Sequence, residues 1–120
     1  MILADSSVWI DHIRSPSPDL SAKLVEGQIV GHPFVTGEIA LGSIANRSAV
    51  IVELNRLQQL PVASADEVSI LIESEKLWGS GVGYVDVHLL ASCRLAPGSQ
   101  LWTRDTRLRA QAQNLGVAMS

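Results

Sequence analysis

Short apolar runs that lead directly into amphipathic helices constrain the fold of this chain more than any other feature of its sequence. Met1 to Ala4 is one such run, and the stretch from Val8 to Arg14 has helical periodicity. A side-chain oxygen in the intervening Asp-Ser-Ser can cap that helix. The pattern returns near the end of the chain, where a predicted strand (99–103) precedes a predicted helix (105–114). Because no hairpin signal such as Asn-Gly separates alternating runs, the sequence predicts an α/β sandwich around a mostly parallel sheet.

Helix is expected to dominate the rest of the chain. Further helices are predicted over residues 18–26, 33–47, 48–60, 64–78 and 85–95. Pro18 and Pro33 stand where a helix can begin, and Pro61 ends one. The run 85–95 is apolar almost all round and is therefore predicted to be a buried helix. Short strands are predicted at 62–63 and 117–118.

Acidic residues are predicted to gather at one edge of the sheet. Asp5 and Asp105 each follow a predicted strand, and Asp86 opens an apolar helix. In open parallel sheets, ligands bind outside the carboxyl ends of the strands. Glu38 and Glu53 are the only acids between residues 29 and 54, so the helix of Glu38 should either bury it or aim it at a cation. Clustered carboxylates repel one another, and a bound cation would remove that penalty.

The chemistry of these side chains suggests a metal site that acts on phosphate esters. Oxygen ligands without cysteine or paired histidine suit Mg²⁺ or Mn²⁺, as one ion or two. The predicted catalytic and metal-binding residues are Asp5, Glu38, Asp86 and Asp105. Ser6 and Thr103 are candidates to orient these carboxylates. Helix capping is the alternative role for each acid and hydroxyl, and it is the interpretation preferred for Ser7.

The net charge at first argues against a nucleic-acid binder. Nine Lys and Arg face twelve Asp and Glu, which gives a formal charge of −3. If four acids belong to a metal site, however, the rest of the chain is close to neutral. Arg104, Arg107 and Arg109 lie close to Asp105 in sequence and are candidate RNA contacts, with a solvated helix face as the alternative.

Composition also limits the compartment and the kind of site. Cys93 is the only cysteine, which excludes an intramolecular disulfide and a cysteine-based zinc site. No apolar run approaches the roughly 18 residues that span a bilayer, and the first residues do not resemble a signal peptide, so one cytoplasmic domain is expected. With only 18% charged residues, the chain is expected to leave an apolar patch for a partner.

Four segments of the chain resemble the PIN-domain ribonucleases and, within them, the VapC toxins of bacterial toxin–antitoxin pairs. The opening MILADSSVWIDHIR resembles the family's first strand, aspartate and hydroxyl pair, and HPFVTGEIALGSI resembles the helix that carries its glutamate. The third acid of the family corresponds to GVGYVDVHLLAS, and its Thr-x-Asp segment to LWTRDTRLRAQAQNLG. The match spans essentially the whole chain.

This resemblance implies a PIN-like three-layer α/β/α sandwich, formed as a single domain over residues 1–120. It assigns Asp5, Glu38, Asp86 and Asp105 to the family's acidic quartet, with Thr103 and Ser6 beside them. It also implies Mg²⁺- or Mn²⁺-dependent cleavage of structured RNA such as tRNA or rRNA, and inhibition of translation. The implied partners are a VapB antitoxin, whose C-terminal segment crosses the active-site groove, and a second toxin chain in a homodimer or a larger toxin–antitoxin complex.

Three other classes fit the sequence less well. A phosphoacceptor receiver domain needs adjacent acids early in the chain and a late strand-end lysine, but Asp5 stands alone and no lysine follows Lys76. A dinucleotide-binding domain needs a glycine-rich turn after its first strand. A PIN-like fold kept only for protein binding would not need four converging carboxylates.

Overall fold

Seven helices surround three parallel strands within residues 1–119, which the computed structural model describes. In chain order the elements are β1 (Ile2–Ala4), α1 (Ser6–Arg14), α2 (Pro18–Val25), β2 (Ile29–Val30), α3 (Pro33–Ala40), α4 (Arg47–Arg56), α5 (Ala65–Ser74), α6 (Tyr84–Leu95), β3 (Gln100–Trp102) and α7 (Thr106–Asn114). The predicted helix-rich α/β class is confirmed. Among these helices, none is long and apolar enough to cross a membrane.

The sheet has the order β2-β1-β3, and both pairings are parallel. Single parallel bridges extend it, from Gly31 to Gln59 and from Leu101 to Ala118. In the centre, Ala4 pairs with Trp102, so the chain leaves β1 and β3 side by side at the same edge. This parallel arrangement, which the sequence predicted, places Asp5 next to the segment that follows β3.

The helices form layers against this sheet. Helices α1, α6 and α7 contact the strands, α3 packs on α1 and α4, and α5 packs on α6. This arrangement is consistent with the PIN-like α/β/α sandwich that the resemblance implies. Helix α6 is buried from Val87 to Cys93, as its apolar sequence predicted, and Leu3, Leu89 and Leu101 are fully buried.

Three predicted helix ends and one predicted strand were wrong. Helix α4 ends at Arg56 rather than Leu60, because Leu57 has an extended backbone. Helix α3 ends at Ala40 rather than near Arg47, and Leu41 is 91% exposed. Residues 41–46 form a turn and loop, and Asn46 at its end is left-handed, with φ 54°, so that a separate helix α4 begins at Arg47. Helix α5 ends at Ser74 rather than Trp78, because Lys76 is also left-handed, with φ 53°. The strand predicted at 62–63 is absent from the described chain, and the sheet contact occurs at Gln59 instead.

Candidate active site

The ends of β1 and β3 bring Asp5 and Thr103 into contact. Each residue directly follows its strand, and the Thr103 hydroxyl donates a hydrogen bond to Asp5 Oδ2. Both side chains are buried, with relative exposures of 4% and 8%. A carboxylate in such a place needs donors to offset its lost hydration, and Thr103 supplies one of them.

The other oxygen of Asp5 faces the first turn of α1. Its Oδ1 accepts from the Val8 backbone N–H at 3.3 Å and from the Ser7 hydroxyl. Asp5 is therefore the N-cap of α1, as the capping alternative predicted, but three donors also fix its orientation. A carboxylate held in this way is oriented before any ligand arrives.

Ser7 has a different role from the capping role predicted for it. It donates to Asp5, and its Oγ accepts from the Arg104 backbone N–H at 3.0 Å. Ser7 thus ties the start of α1 to the segment after β3. The only sequence signal for this role was a hydroxyl close to Asp5.

Asp105 is the N-cap of α7. Its Oδ1 accepts from the backbone N–H groups of Arg107 at 2.8 Å and Leu108 at 3.1 Å. The Asp105 N–H donates to Thr103 Oγ1 at 3.1 Å, so Thr103 lies between Asp5 and Asp105 and contacts both. Unlike Asp5, Asp105 is exposed.

Asp86 shows that the four acids are neighbours. It lies half-buried in the first turn of α6, and burial raises its pKa above the ordinary value for aspartate. The negative charge of Asp5 raises this pKa further, and those of Glu38 and Asp105 add smaller contributions. A hydrogen bond to the backbone of Gly83 offsets only part of the rise. The sequence-predicted quartet therefore shares one region, in which the charges of the other three acids act on Asp86.

Glu38 reaches this region from the surface. The sequence led us to expect that α3 would bury it or pair it with a cation, but the side chain is exposed and makes no ion pair among residues 1–119. Its Oε1 accepts from the Ser6 hydroxyl at 3.4 Å. Ser6 is thus placed against the quartet through Glu38, and Thr103 through Asp5.

The donor set fits a hard divalent cation that keeps part of its hydration shell. Four mutually repelling carboxylates are oxygen ligands whose repulsion a cation would relieve. Within residues 1–119, no three His, Cys, Asp or Glu side chains are close enough together to hold one ion between them. Mg²⁺ is commonly bound through one or two carboxylates, with waters and substrate phosphates completing its shell. The spacing is compatible with that mode of binding.

The three arginines are exposed and occupy different surroundings. Arg104 pairs with Asp11, with 3.2 Å between Nε and Oδ2. Arg107 lies against Gly81, in the loop before α6, and Arg109 lines a cavity beside Trp102. Arg104 also lines that cavity, whereas Arg107 does not, so the three candidate RNA contacts do not form a single cluster.

Comparison with known proteins gives two close relatives. Both are curated proteins named Ribonuclease VapC32 from Mycobacterium tuberculosis, one from strain CDC 1551 / Oshkosh and one from strain ATCC 25618 / H37Rv. Each is 46% identical to this chain over 120 residues, which is 100% of the chain and 97% of the relative. No family model matches the chain. Identity at this level over the full length shows common descent.

Proposed function

Because the chain belongs to the VapC family of ribonucleases, we propose that it is a metal-dependent endoribonuclease toxin. In this proposal it cleaves structured RNA such as tRNA or rRNA in the cytoplasm and so inhibits translation. The observation that carries the proposal is the convergence of the acids: Thr103 links Asp5 to Asp105, and burial and the charges of Asp5, Glu38 and Asp105 raise the pKa of Asp86. Such a cluster lowers the stability of the folded protein, and helix capping alone does not require it.

The proposed metal ligands are Asp5, Glu38, Asp86 and Asp105. A bound Mg²⁺ or Mn²⁺ would supply charge neutralisation at the phosphodiester and would acidify water. Asp5 is the best prepared of the four, because Thr103, Ser7 and the Val8 N–H hold both of its oxygens. Orientation of this kind reduces the rearrangement needed when the substrate arrives.

Thr103 would act as a positioning residue. Its hydroxyl donates to Asp5 and accepts from the Asp105 N–H, so it fixes the separation between two proposed ligands. Ser6 donates to Glu38 alone, across the longer distance of 3.4 Å, and so would hold that one carboxylate more loosely. Neither hydroxyl needs to touch the substrate for its loss to reduce activity.

A VapB-type antitoxin is the proposed inhibitory partner. An apolar groove of about 490 Å³ lies between α1, α2 and α4. Its walls include Trp9, Ile13, Leu24, Val50 and Leu57. Grooves of this kind accept the apolar face of an amphipathic helix, which supports docking of an antitoxin segment in this groove.

A homodimer is the proposed form of the toxin. Ile70 on α5 is 67% exposed and Leu95 on α6 is 43% exposed, and both line one shallow apolar depression. Exposed apolar side chains that cluster in this way commonly mark interfaces between chains.

Cleavage of total cellular RNA tests the nuclease proposal. Purified protein, freed of any co-purifying partner, is incubated with RNA and Mg²⁺ or Mn²⁺, and the new ends are mapped by sequencing. Asp5→Asn and a chelator should each abolish discrete cuts. Asp66→Asn, an equal charge change at an exposed position of α5, should leave them intact. If wild type and Asp5→Asn are equally inactive towards RNA while the wild type binds Mn²⁺ by calorimetry, the nuclease proposal is wrong.

A further inference from the structure

A cavity of about 240 Å³ lies at the carboxyl end of β3, beside the acidic site. Its walls include Trp102, Thr103, Arg104, Thr106, Arg109 and Met119. Pockets that enclose a whole small molecule usually measure about 300–1,000 Å³. This cavity is therefore suited to one base or phosphate of a longer ligand.

The cavity walls combine positive charge with an aromatic face. Arg104 and Arg109 contribute two guanidinium groups, and none of the described lining residues is acidic. Two cations lie near the half-buried Trp102 ring, with Lys23 Nζ at 5.9 Å and Arg104 Cζ at 6.0 Å from its centroid. Proteins that bind single-stranded nucleic acids use this combination, with arginine or lysine for the backbone and an aromatic ring for a base.

Arg104 remains available to a ligand although it pairs with Asp11. Both side chains of that pair are about half exposed, at 49% and 53%. An ion pair in such a solvated position contributes little to stability, so a phosphate group can replace Asp11 at small cost.

The cavity is also linked directly to the proposed metal ligands. Thr103 lines it, and the hydroxyl of Thr103 donates to Asp5. The backbone N–H of Arg104 donates to Ser7, which in turn donates to Asp5. A nucleotide in the cavity would therefore lie one side chain away from the acidic site.

We propose that this cavity binds the nucleotide next to the phosphodiester that is cut. Its base packs against Trp102, and its phosphate lies between Arg104 and Arg109. This inference rests on the ribonuclease function proposed above and narrows its substrate. Bases in a duplex are stacked and out of reach, so the bound nucleotide belongs to an unpaired loop or bulge of a structured RNA.

Binding without cleavage tests the cavity separately from catalysis. Fluorescein-labelled single-stranded RNA hexanucleotides are titrated with the full chain in the presence of a chelator, and fluorescence anisotropy is followed over a range of salt concentrations. Trp102→Leu should weaken binding by about 5- to 150-fold, the range that loss of one stacked base produces, and Trp102→Phe should restore much of the affinity.

Arg109→Gln covers the case in which Trp102→Leu disturbs β3, because Arg109 is exposed on α7. It should lower the slope of log affinity against log salt by about 0.7, the value for one phosphate contact on a single strand. Arg56→Gln, on α4 and outside the cavity, removes the same charge and should bind like the wild type. In Mg²⁺, Trp102→Leu should raise KM more than it lowers kcat.

The outcomes separate this proposal from the proposed function. The cavity proposal is wrong, even if RNA is cleaved, if Trp102→Leu and Arg109→Gln bind the hexanucleotide as tightly as the wild type does. It is also wrong if Arg56→Gln loses as much affinity as they do. Loss of hexanucleotide binding in these variants with no cleavage by the wild type supports the cavity and overturns the nuclease. If the variants keep RNA affinity but lose affinity for a VapB-type antitoxin, the cavity is a protein-binding site and the proposal is wrong.

Discussion

The side chain of Arg107 lies directly against the backbone of Gly81. A Cβ added at Gly81 would stand 2.7 Å from Arg107 Cδ and 2.8 Å from its Nη1. Gly81 belongs to the loop before α6, and Arg107 to the first turn of α7. Their contact therefore joins the two elements that carry Asp86 and Asp105, and it holds one guanidinium beside the acidic site.

Replacement of Gly81 by alanine should lower both the stability of the protein and its rate of RNA cleavage. Gly81 has φ +83°, and a left-handed alanine costs about 1–2 kcal/mol. The added methyl also displaces Arg107, whose loss as a charged phosphate contact should lower kcat/KM by roughly ten-fold or more. Chemical denaturation and steady-state cleavage measure the two effects.

Gly79→Ala is the matched control for this prediction. Gly79 has a similar φ of +71°, but nothing lies within 4 Å of its added Cβ. It should lose about the same stability and keep its activity. Equal activity in the two alanine variants would show that the position of Arg107 does not matter to cleavage.

Asp86→Asn should stabilise the metal-free protein and abolish RNA cleavage. Burial and the charge of Asp5 raise the pKa of Asp86, so the folded state disfavours its ionised form. Because the folded state holds this proton more tightly than the unfolded chain, stability falls as the pH rises from the unfolded-state pKa of Asp86 to its higher folded-state pKa, and the full cost remains above that range. Loss of one proposed ligand should reduce cleavage by at least the roughly 10- to 100-fold typical of outer-shell changes.

The pH dependence distinguishes this effect from a general effect of charge. The stability advantage of Asp86→Asn should shrink as the pH falls and Asp86 becomes protonated in the wild type. Asp66→Asn, in the first turn of α5, should be slightly destabilising, because it removes a charge that favours a helix N-terminus. Thermal melts in chelator, from neutral pH down through the acidic range, measure this difference in stability. The prediction is wrong if Asp86→Asn is less stable than the wild type at neutral pH.

Local signals were enough to predict the elements that carry the acids. A short apolar strand followed by a capping aspartate identified both junctions, at Asp5 and at Asp105, and an almost uniformly apolar run identified α6. The order of these elements and the missing hairpin signals then predicted a parallel sheet. Neighbouring strands in such a sheet necessarily bring the residues after β1 and β3 together.

The errors arose where structure depends on contacts or backbone angles that local sequence does not show. Hydrophobic periodicity continues past Ala40, but Asn46 turns left-handed and starts a new helix. Lys76 ends α5 in the same conformation without a glycine to mark it. The role of Ser7 depends on Arg104, which lies 97 residues away in the sequence. No pattern within a single helix could have indicated that contact.

Cys93 should resist alkylation in the native protein. Its side chain is buried in α6, and burial raises the pKa of its thiol to about 12. The reactive thiolate is therefore scarce and inaccessible at mildly alkaline pH, so labelling by iodoacetamide should require unfolding. Mass spectrometry should show slow labelling that becomes complete in guanidinium chloride and is faster in Gly79→Ala. Rapid labelling of the stable wild type would contradict this account.

His32 should make the folded state less stable as the pH falls below neutral. Its Nδ1 accepts from the Phe34 N–H at 3.0 Å, so the ring proton lies on Nε2, which is 2.9 Å from the Ser92 hydroxyl. Burial, with the nearby His88, lowers the pKa of His32 from 6.5 to about 4. The unfolded chain takes up a proton below pH 6.5, whereas the folded protein resists it until about pH 4.

The difference between the pKa of His32 in the unfolded chain and its pKa in the folded protein gives the sign and size of the change in stability. Stability from neutral His32 is fully present above pH 6.5 and is lost progressively as the pH falls towards 4, by roughly 3 kcal/mol in total. His32→Asn keeps an oxygen that can cap α3 but cannot titrate. It should be less stable than the wild type at neutral pH, and the gap between them should narrow steadily as the pH is lowered. Urea denaturation at a series of pH values measures that gap, and a gap that stays constant down to about pH 4 would show that His32 is not the titrating group.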